Sequence, residues 1–151
     1  HMIDAISSEG GIVNQIVGDG LMAIFGAPVP HQNHCQRAVW AALKMMERVE
    51  LFNSQQAASG KAQIQIGIGI ASGQVIAGYL GTEVRATYTC VGDAVNTAAR
   101  LEAHTKILGK PILIDEATCL ALDGRIQTMD HGLVKFKGKN KRVHVFSVSV
   151  S

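Results

Sequence analysis

The sequence predicts an α+β fold, a largely antiparallel sheet with helices packed on one face. Three observations lead there. Short apolar runs separated by glycine- and aspartate-bearing turns recur along the chain, with at least three hairpins among them. Two stretches, after Asn33 and after Asp93, place apolar residues at three- and four-residue steps, the period of an amphipathic helix. Strands and helices are also intermixed rather than segregated.

Composition bounds the answer. The chain has 151 residues, 47% hydrophobic and 17% charged, which suits one globular domain with a proper core. Its net charge of +2 argues against a non-specific nucleic-acid binder. No apolar run approaches the roughly 20 residues that span a bilayer, and no secretory apolar segment is present. Cys35, Cys90 and Cys119 are widely separated and read as reduced, buried thiols, as in a cytoplasmic protein. His1-Met2 reads as a cloning remnant ahead of a domain at 3–151.

The elements follow in order. Ile3, Ala5 and Ile6 make a short helical pattern over Ile3–Ser8 that stops at Gly10 and reads as the end of a longer element. The runs Ile12–Val17 and Leu21–Phe25 flank Gly18-Asp19-Gly20, the strongest short-range hairpin signal in the chain. Pro28 and Pro30 break the pattern, and Asn33 with Gln36 forms a capping box for the next helix. Ala38, Ala41, Ala42, Met45, Val49 and Phe52 mark its buried face, and Asn53–Lys61 reads as loop.

Ala62–Ala71 alternates isoleucine with glycine or glutamine, a strand whose glycine face can accept a close neighbour, either a helix or a nucleotide. Ser72-Gly73 turns the chain into a partner strand at Gln74–Leu80; Gly81–Ala86 is loop and Thr87–Val91 a further short strand. Asp93–Lys106 is the second helix, with Asp93 as N-cap. Pro111–Ile114 is a buried strand, and Asp115 caps a short helix that stops at Gly124. Ile126–Met129, Val134–Phe136 and Val143–Val148 close the chain as strands, the last two joined by a tight turn at Lys137-Gly138-Lys139-Asn140.

On the residues alone, Asp19 can cap its own turn or hold a hard cation beside phosphate. Asn96 and Arg100 lie four positions apart on the second helix, so both side chains leave one face. An amide and a guanidinium so placed match phosphoryl oxygens, or form an ordinary solvated face. His31 and His34 read as helix-start residues, and Cys90 as a packed strand residue.

The run YTCVGDAVNTAARLE from Tyr88 to Glu102, with GGIVNQIVGDGLMAIFG from Gly10 to Gly26, resembles the catalytic domain of class III nucleotidyl cyclases, the adenylyl and guanylyl cyclases. IGIGIASGQVIAGYLG from Ile66 and FKGKNKRVHVF from Phe136 extend the likeness over almost the whole chain in the right order. The resemblance implies a ferredoxin-like sheet and a homodimer paired head to tail, each active site built across the interface. It implies conversion of ATP, or GTP, to a 3′,5′-cyclic nucleotide and pyrophosphate for signal transduction, under regulatory domains elsewhere in a parent chain. Neither nucleic acid nor, in this segment, a membrane is an expected partner.

The resemblance also assigns roles. Asp19 would be one of two aspartates holding two divalent ions, Mg²⁺ or Mn²⁺. Asn96 and Arg100, from the other subunit, would orient the ribose and stabilise charge on the α-phosphate, and Lys137 would hold the β- and γ-phosphates. An in-line attack on phosphorus needs that set: metal on the nucleophile and cations on the spreading charge. Most of the remaining charges in the cluster from Lys135 to Arg142 read as solvated.

Three departures from the family pattern matter. The family's other metal aspartate sits on a strand well ahead of the hairpin, and nothing here matches it. The domain therefore reads as lacking its first strand and helix, with weak or no turnover expected. Gln15 stands where adenylyl cyclases usually carry a purine-reading lysine. Thr89 stands in place of the partner aspartate, as in a Thr-type bacterial adenylyl subgroup. Glutamine fits the adenine edge and, with its amide flipped, the guanine edge too. ATP is favoured because Thr89 matches and the Glu/Cys pairing of guanylyl enzymes is absent. The alternatives are a degenerate nucleotide-binding regulatory module, for which Gln15 and Gln65 in place of more usual basic residues speak, and a guanylyl cyclase.

Overall fold

The computed structural model describes residues 2–17, 20–26, 33–82, 85–122, 124 and 126–149, without the side chains of 2, 14–17, 76–82 and 85–91. In chain order the elements are α1 (Met2–Ser8), β1 (Ile12–Val17), β2 (Gly20–Ile24), α2 (His34–Ala58), β3 (Ile68–Ile70), β4 (Ile76–Thr82), β5 (Arg85–Val91), α3 (Asp93–Leu108), β6 (Ile112–Asp115), α4 (Glu116–Leu120), β7 (Thr128–Val134) and β8 (Val143–Val148).

The hairpin expected around Gly18-Asp19-Gly20 is present as β1 against β2, with Val17 opposite Gly20. Helix α2 outruns its expected length because its polar end is used. The Asn53 amide donates to the Ile64 carbonyl at 2.8 Å and accepts from the Ile64 N–H at 2.7 Å, while Gln56 donates to the Ala62 carbonyl at 3.2 Å. Those side chains satisfy the backbone of the following segment in place of a strand partner, and only Ile68–Ile70 of the expected 62–71 strand enters a sheet. The capping box at Asn33 does not form. Asn33 occupies the N-cap position, but its Oδ1 accepts from Nε of Arg37 at 2.9 Å.

Pairing departs from the expected order. β3 runs parallel to β6 instead of folding back on residues 74–80. β4 pairs antiparallel with β5 in one long hairpin that absorbs most of the loop expected at 81–86. The four-stranded sheet has the order β3-β6-β8-β7, antiparallel from β6 onward. β7 is one bulged strand where two had been expected. Its irregularity lies between Asp130 and Leu133, where Gly132 takes φ 81° and donates its N–H to Asp130 Oδ1 at 2.7 Å.

The α+β class with largely antiparallel pairing holds, but the helices divide between two faces of this sheet. Ile112, Leu113 and Ile114 are all fully buried, so β6 needs cover on both sides. Ile112, Ile114 and Val148 pack under Val39 and Ala42 of α2, with Cys119 of α4 beside them. Leu113 and Val145 point the other way, onto Leu101 of α3 and Phe136. Each such fully buried aliphatic side chain contributes on the order of 2 kcal/mol.

The glycine face of β3 is what lets α3 come so close. A β-carbon on Gly69 would stand 2.2 Å from the Ala98 carbonyl oxygen and 2.4 Å from the Glu102 nitrogen, and one on Gly67 would stand 2.1 Å from Thr105 Oγ1. Of the two neighbours that face could accept, it takes the helix. Cys35 is buried with its Sγ 3.1 Å from Ser72 Oγ, whereas Cys119 is only half-buried. Among the described residues, no helix is long and apolar enough to cross a membrane.

Candidate active site

Helix α3 starts where the chain is pressed against its neighbour: a β-carbon on Gly92 would stand 3.0 Å from the Gln74 carbonyl oxygen. Gly92 therefore holds the N-cap position, and Asp93, expected there, is the first helical residue with no capping bond. Its carboxylate is used elsewhere. Lys139 Nζ lies 2.5 Å from Asp93 Oδ1 and donates to Thr97 Oγ1 at 2.9 Å.

Lys139 belongs to the turn between β7 and β8. The Lys139 N–H donates to the Phe136 carbonyl at 3.2 Å. Gly138 takes φ 86° while no other residue type among those described has a positive φ, which makes this a type II turn with Lys137 at its first central position. Lys135 Nζ donates to the Lys139 carbonyl oxygen. Phe136 is buried and meets the His104 ring edge-on at 5.3 Å. The turn is thus pinned to α3 at both ends, by Phe136 and by Lys139.

Between the pins the turn passes over Arg100. Gly138 lies against Arg100, whose Nη2 would be 3.4 Å from a β-carbon there. Asn96, Arg100 and Lys137 are all exposed, while Thr97 and Leu101 on the same helix are buried beneath them. Among the described residues none has a hydrogen-bond or ion-pair partner, so their donors remain available.

The other predicted site residues are less fully described. Asp19 lies outside the described residues. Gln15 sits on β1 opposite Met22 and Thr89 on β5 opposite Gly78; their side chains are outside the description, but the two strands pack on one another. Among the described residues no three His, Cys, Asp or Glu side chains gather into a metal cage. His34 begins α2 as expected, and His31 is outside the description.

A groove of about 570 Å³ runs between the turn, the start of α3 and the start of α4, bordered by Asp93, Glu116, Lys139, Arg142 and His144. Neither Asn96, Arg100 nor Lys137 lines it. At its far end His144 bridges two carboxylates, Nε2 to Asp130 Oδ1 at 2.7 Å and Nδ1 to Glu116 Oε2 at 3.1 Å, and stacks on Phe146 at 4.4 Å. The bond to Asp130 is the largest influence and raises the His144 pKa; desolvation opposes it, and the bond to Glu116 adds a lesser rise. Sequence reasoning missed two features here. The Lys139 clamp joins positions far apart in the chain, and nothing local in the sequence marks that pairing. The His144 bridge is the same case.

The family described as the adenylate and guanylate cyclase catalytic domain matches residues 3–149. The chain belongs to the class III adenylyl and guanylyl cyclases. Adenylate cyclase 1 of Rhizobium meliloti (strain 1021) is 32% identical over 145 residues, which are 96% of this cyclase domain and 22% of that protein. The domain thus spans about a fifth of that relative's length. The adenylyl cyclase CyaB from P. aeruginosa superposes with a TM-score of 0.87 at 29% identity, covering 99% of this chain and 77% of that one. The guanylyl cyclase Cya2 gives 0.86 at 32%, covering 97% and 74%. Matches of equal quality to an adenylyl and a guanylyl enzyme place the choice of base in side chains and not in the fold.

Proposed function

We propose that this cyclase domain converts ATP to 3′,5′-cyclic AMP and pyrophosphate as half of a head-to-tail homodimer, for signalling under regulatory modules of a longer chain. One observation carries the reading: Asn96, Arg100 and Lys137 lie on an exposed surface, outside the groove between the turn, α3 and α4. Such a surface is half of a site and needs an opposing wall.

In this reading the Lys137 ammonium holds the β- and γ-phosphates. The Arg100 fork meets the α-phosphate oxygens, where charge builds, and the Asn96 amide fixes the ribose by donating and accepting at its hydroxyls. Asp19 of the opposing protomer is the carboxylate given to divalent metal, Mg²⁺ or Mn²⁺, whose chemistry when bound is to acidify the ribose 3′-hydroxyl and offset triphosphate charge. Gln15 and Thr89, on neighbouring strands, read the base. Adenine is preferred because Thr89 resembles the adenylyl Thr-type pattern and the Rhizobium relative is named an adenylate cyclase. A second reading, a nucleotide-binding regulatory module without turnover, draws on Gln15 and on the exposed Gln65. The intact set of Asn96, Arg100 and Lys137 speaks against it.

The test is cyclic-product formation from ATP and from GTP with Mg²⁺ or Mn²⁺, in a chain extended N-terminally to include the family's other metal aspartate. Cyclic AMP in excess is the expected result. Cyclic GMP in excess would make it a guanylyl cyclase, and no product from either, with nucleotide still bound, would make it the regulatory module.

A further inference from the structure

We infer that Lys139 is a positioning residue: its ammonium docks the Phe136–Arg142 turn onto α3 and so fixes where the Lys137 ammonium stands relative to the Arg100 guanidinium. The inference rests on the phosphate-binding roles proposed above for Lys137 and Arg100 and adds a residue to them. Lys137 is exposed, whereas the Lys139 side chain is only 12% exposed. An ammonium drawn in that far is stable only if its donors are taken, and Asp93 and Thr97 take two of its three. Lys139 is therefore committed to the helix and is not free to hold phosphate itself.

The geometry gives that commitment a purpose. Asp93 and Arg100 lie about 10 Å apart along the axis of α3, two helical turns. The turn crosses this span as a strap, with Lys139 fastened at the Asp93 end and Gly138 resting on Arg100. Lys137 precedes Gly138 directly, so its Cα is set by the same fastening. The strap's other pin, Phe136 against His104, does not depend on Lys139. Removing the ammonium should free Lys137 without unfolding the domain.

The experiment measures tripolyphosphate and ATP affinity, with Mg²⁺ or Mn²⁺, for the wild type, Lys139→Met, Lys139→Arg, Lys137→Ala and the double variant Lys137→Ala/Lys139→Met. Amide hydrogen exchange of residues 136–142 is followed in each. Lys139→Met should keep the wild-type melting behaviour, lose exchange protection in the turn and bind triphosphate about tenfold more weakly. Lys139→Arg should recover most of that loss. In the Lys137→Ala background, Lys139→Met should cost nothing further, because its effect passes through Lys137. Equal weakening in both backgrounds would make Lys139 a direct phosphate ligand, and lost protection with unchanged affinity would make it merely structural; either result overturns the inference alone. A wild type with no triphosphate affinity would instead overturn the phosphate-binding reading, and this inference with it.

Discussion

Gly69 and Ala98 meet backbone to backbone: a β-carbon on the glycine would stand 2.2 Å from the alanine's carbonyl oxygen. This contact seats α3 on β3 and so sets the direction in which Asn96 and Arg100 leave the helix. Fold and site share one joint.

Gly69→Ala should therefore be among the most damaging small substitutions in the chain. The clash is with main chain, which cannot swing aside, so a destabilisation of about 3 kcal/mol or more is expected, at the upper end for overpacking. Gly60→Ala is the control: its φ is +71° but open space surrounds it, so only the left-handed backbone cost of about 1–2 kcal/mol applies. Thermal or urea unfolding of the two variants checks the ordering.

Thr118, itself fully buried, closes a half-buried polar chain. Its hydroxyl donates to Asp115 Oδ1 at 2.6 Å and lies 2.6 Å from Ser72 Oγ, while Asp115 also accepts the Thr118 N–H at 3.0 Å as the cap of α4. Thr118→Val keeps the shape, strips both side-chain bonds and leaves Asp115 and Ser72 short of partners. A loss of about 1–3 kcal/mol is expected, read by urea unfolding.

His144 gives the fold a pH dependence of definite sign. Asp130 first, then Glu116, raises its pKa above the ordinary 6.5. Its stabilising contribution is therefore complete below about pH 6.5 and is lost as pH rises through the raised value. Asp130 is lowered, chiefly by the Gly132 N–H and then by His144, so its contribution is present above about 3.8 and lost as pH falls. The clasp joining β7, β8 and α4 is strongest between those limits. Melting temperatures from pH 5 to 8.5 should show wild type and His144→Gln converging as pH rises; a constant gap would contradict this.

Arg100→Lys should separate chemistry from folding. The side chain is exposed with no partner among the described residues, so unfolding should not change. Lysine keeps the charge but cannot present the guanidinium fork, and kcat should fall about 100-fold. Steady-state kinetics on the extended, metal-supplied domain would check it.

What the sequence revealed and what it hid divide along a physical line. The β1–β2 hairpin, the buried β6, the Asp115 cap and most of the apolar face of α2 were legible because each is written in neighbouring residues; on α2, Phe52 is exposed instead of buried, and Val39, not expected on that face, is fully buried. Strand partners were not. Alternation at Ile68 and Ile70 fixes which face is buried but not which strand lies alongside, and β6 won over residues 74–80. The unbroken run Ile112-Leu113-Ile114 did carry a signal for cover on both faces, which a single helical layer ignores. Asp93 looked like a cap because aspartate before a helix usually is one; Lys139, distant in the chain, claims that carboxylate instead. Asn96, Arg100 and Lys137 were named from the sequence; of these the structure lays Arg100 against Gly138, the neighbour of Lys137.

The central claim is that the catalytic constellation is shared between two copies of the chain. Subunit complementation tests it most directly, in the N-terminally extended domain with metal supplied. Asp19→Ala and Arg100→Ala proteins should each be inactive, and an equimolar mixture should regain about a quarter of wild-type cyclic-nucleotide formation, since half of the randomly formed dimers carry one intact site of two. A mixture as inactive as its components, or substantial activity in either variant alone, would contradict the shared site.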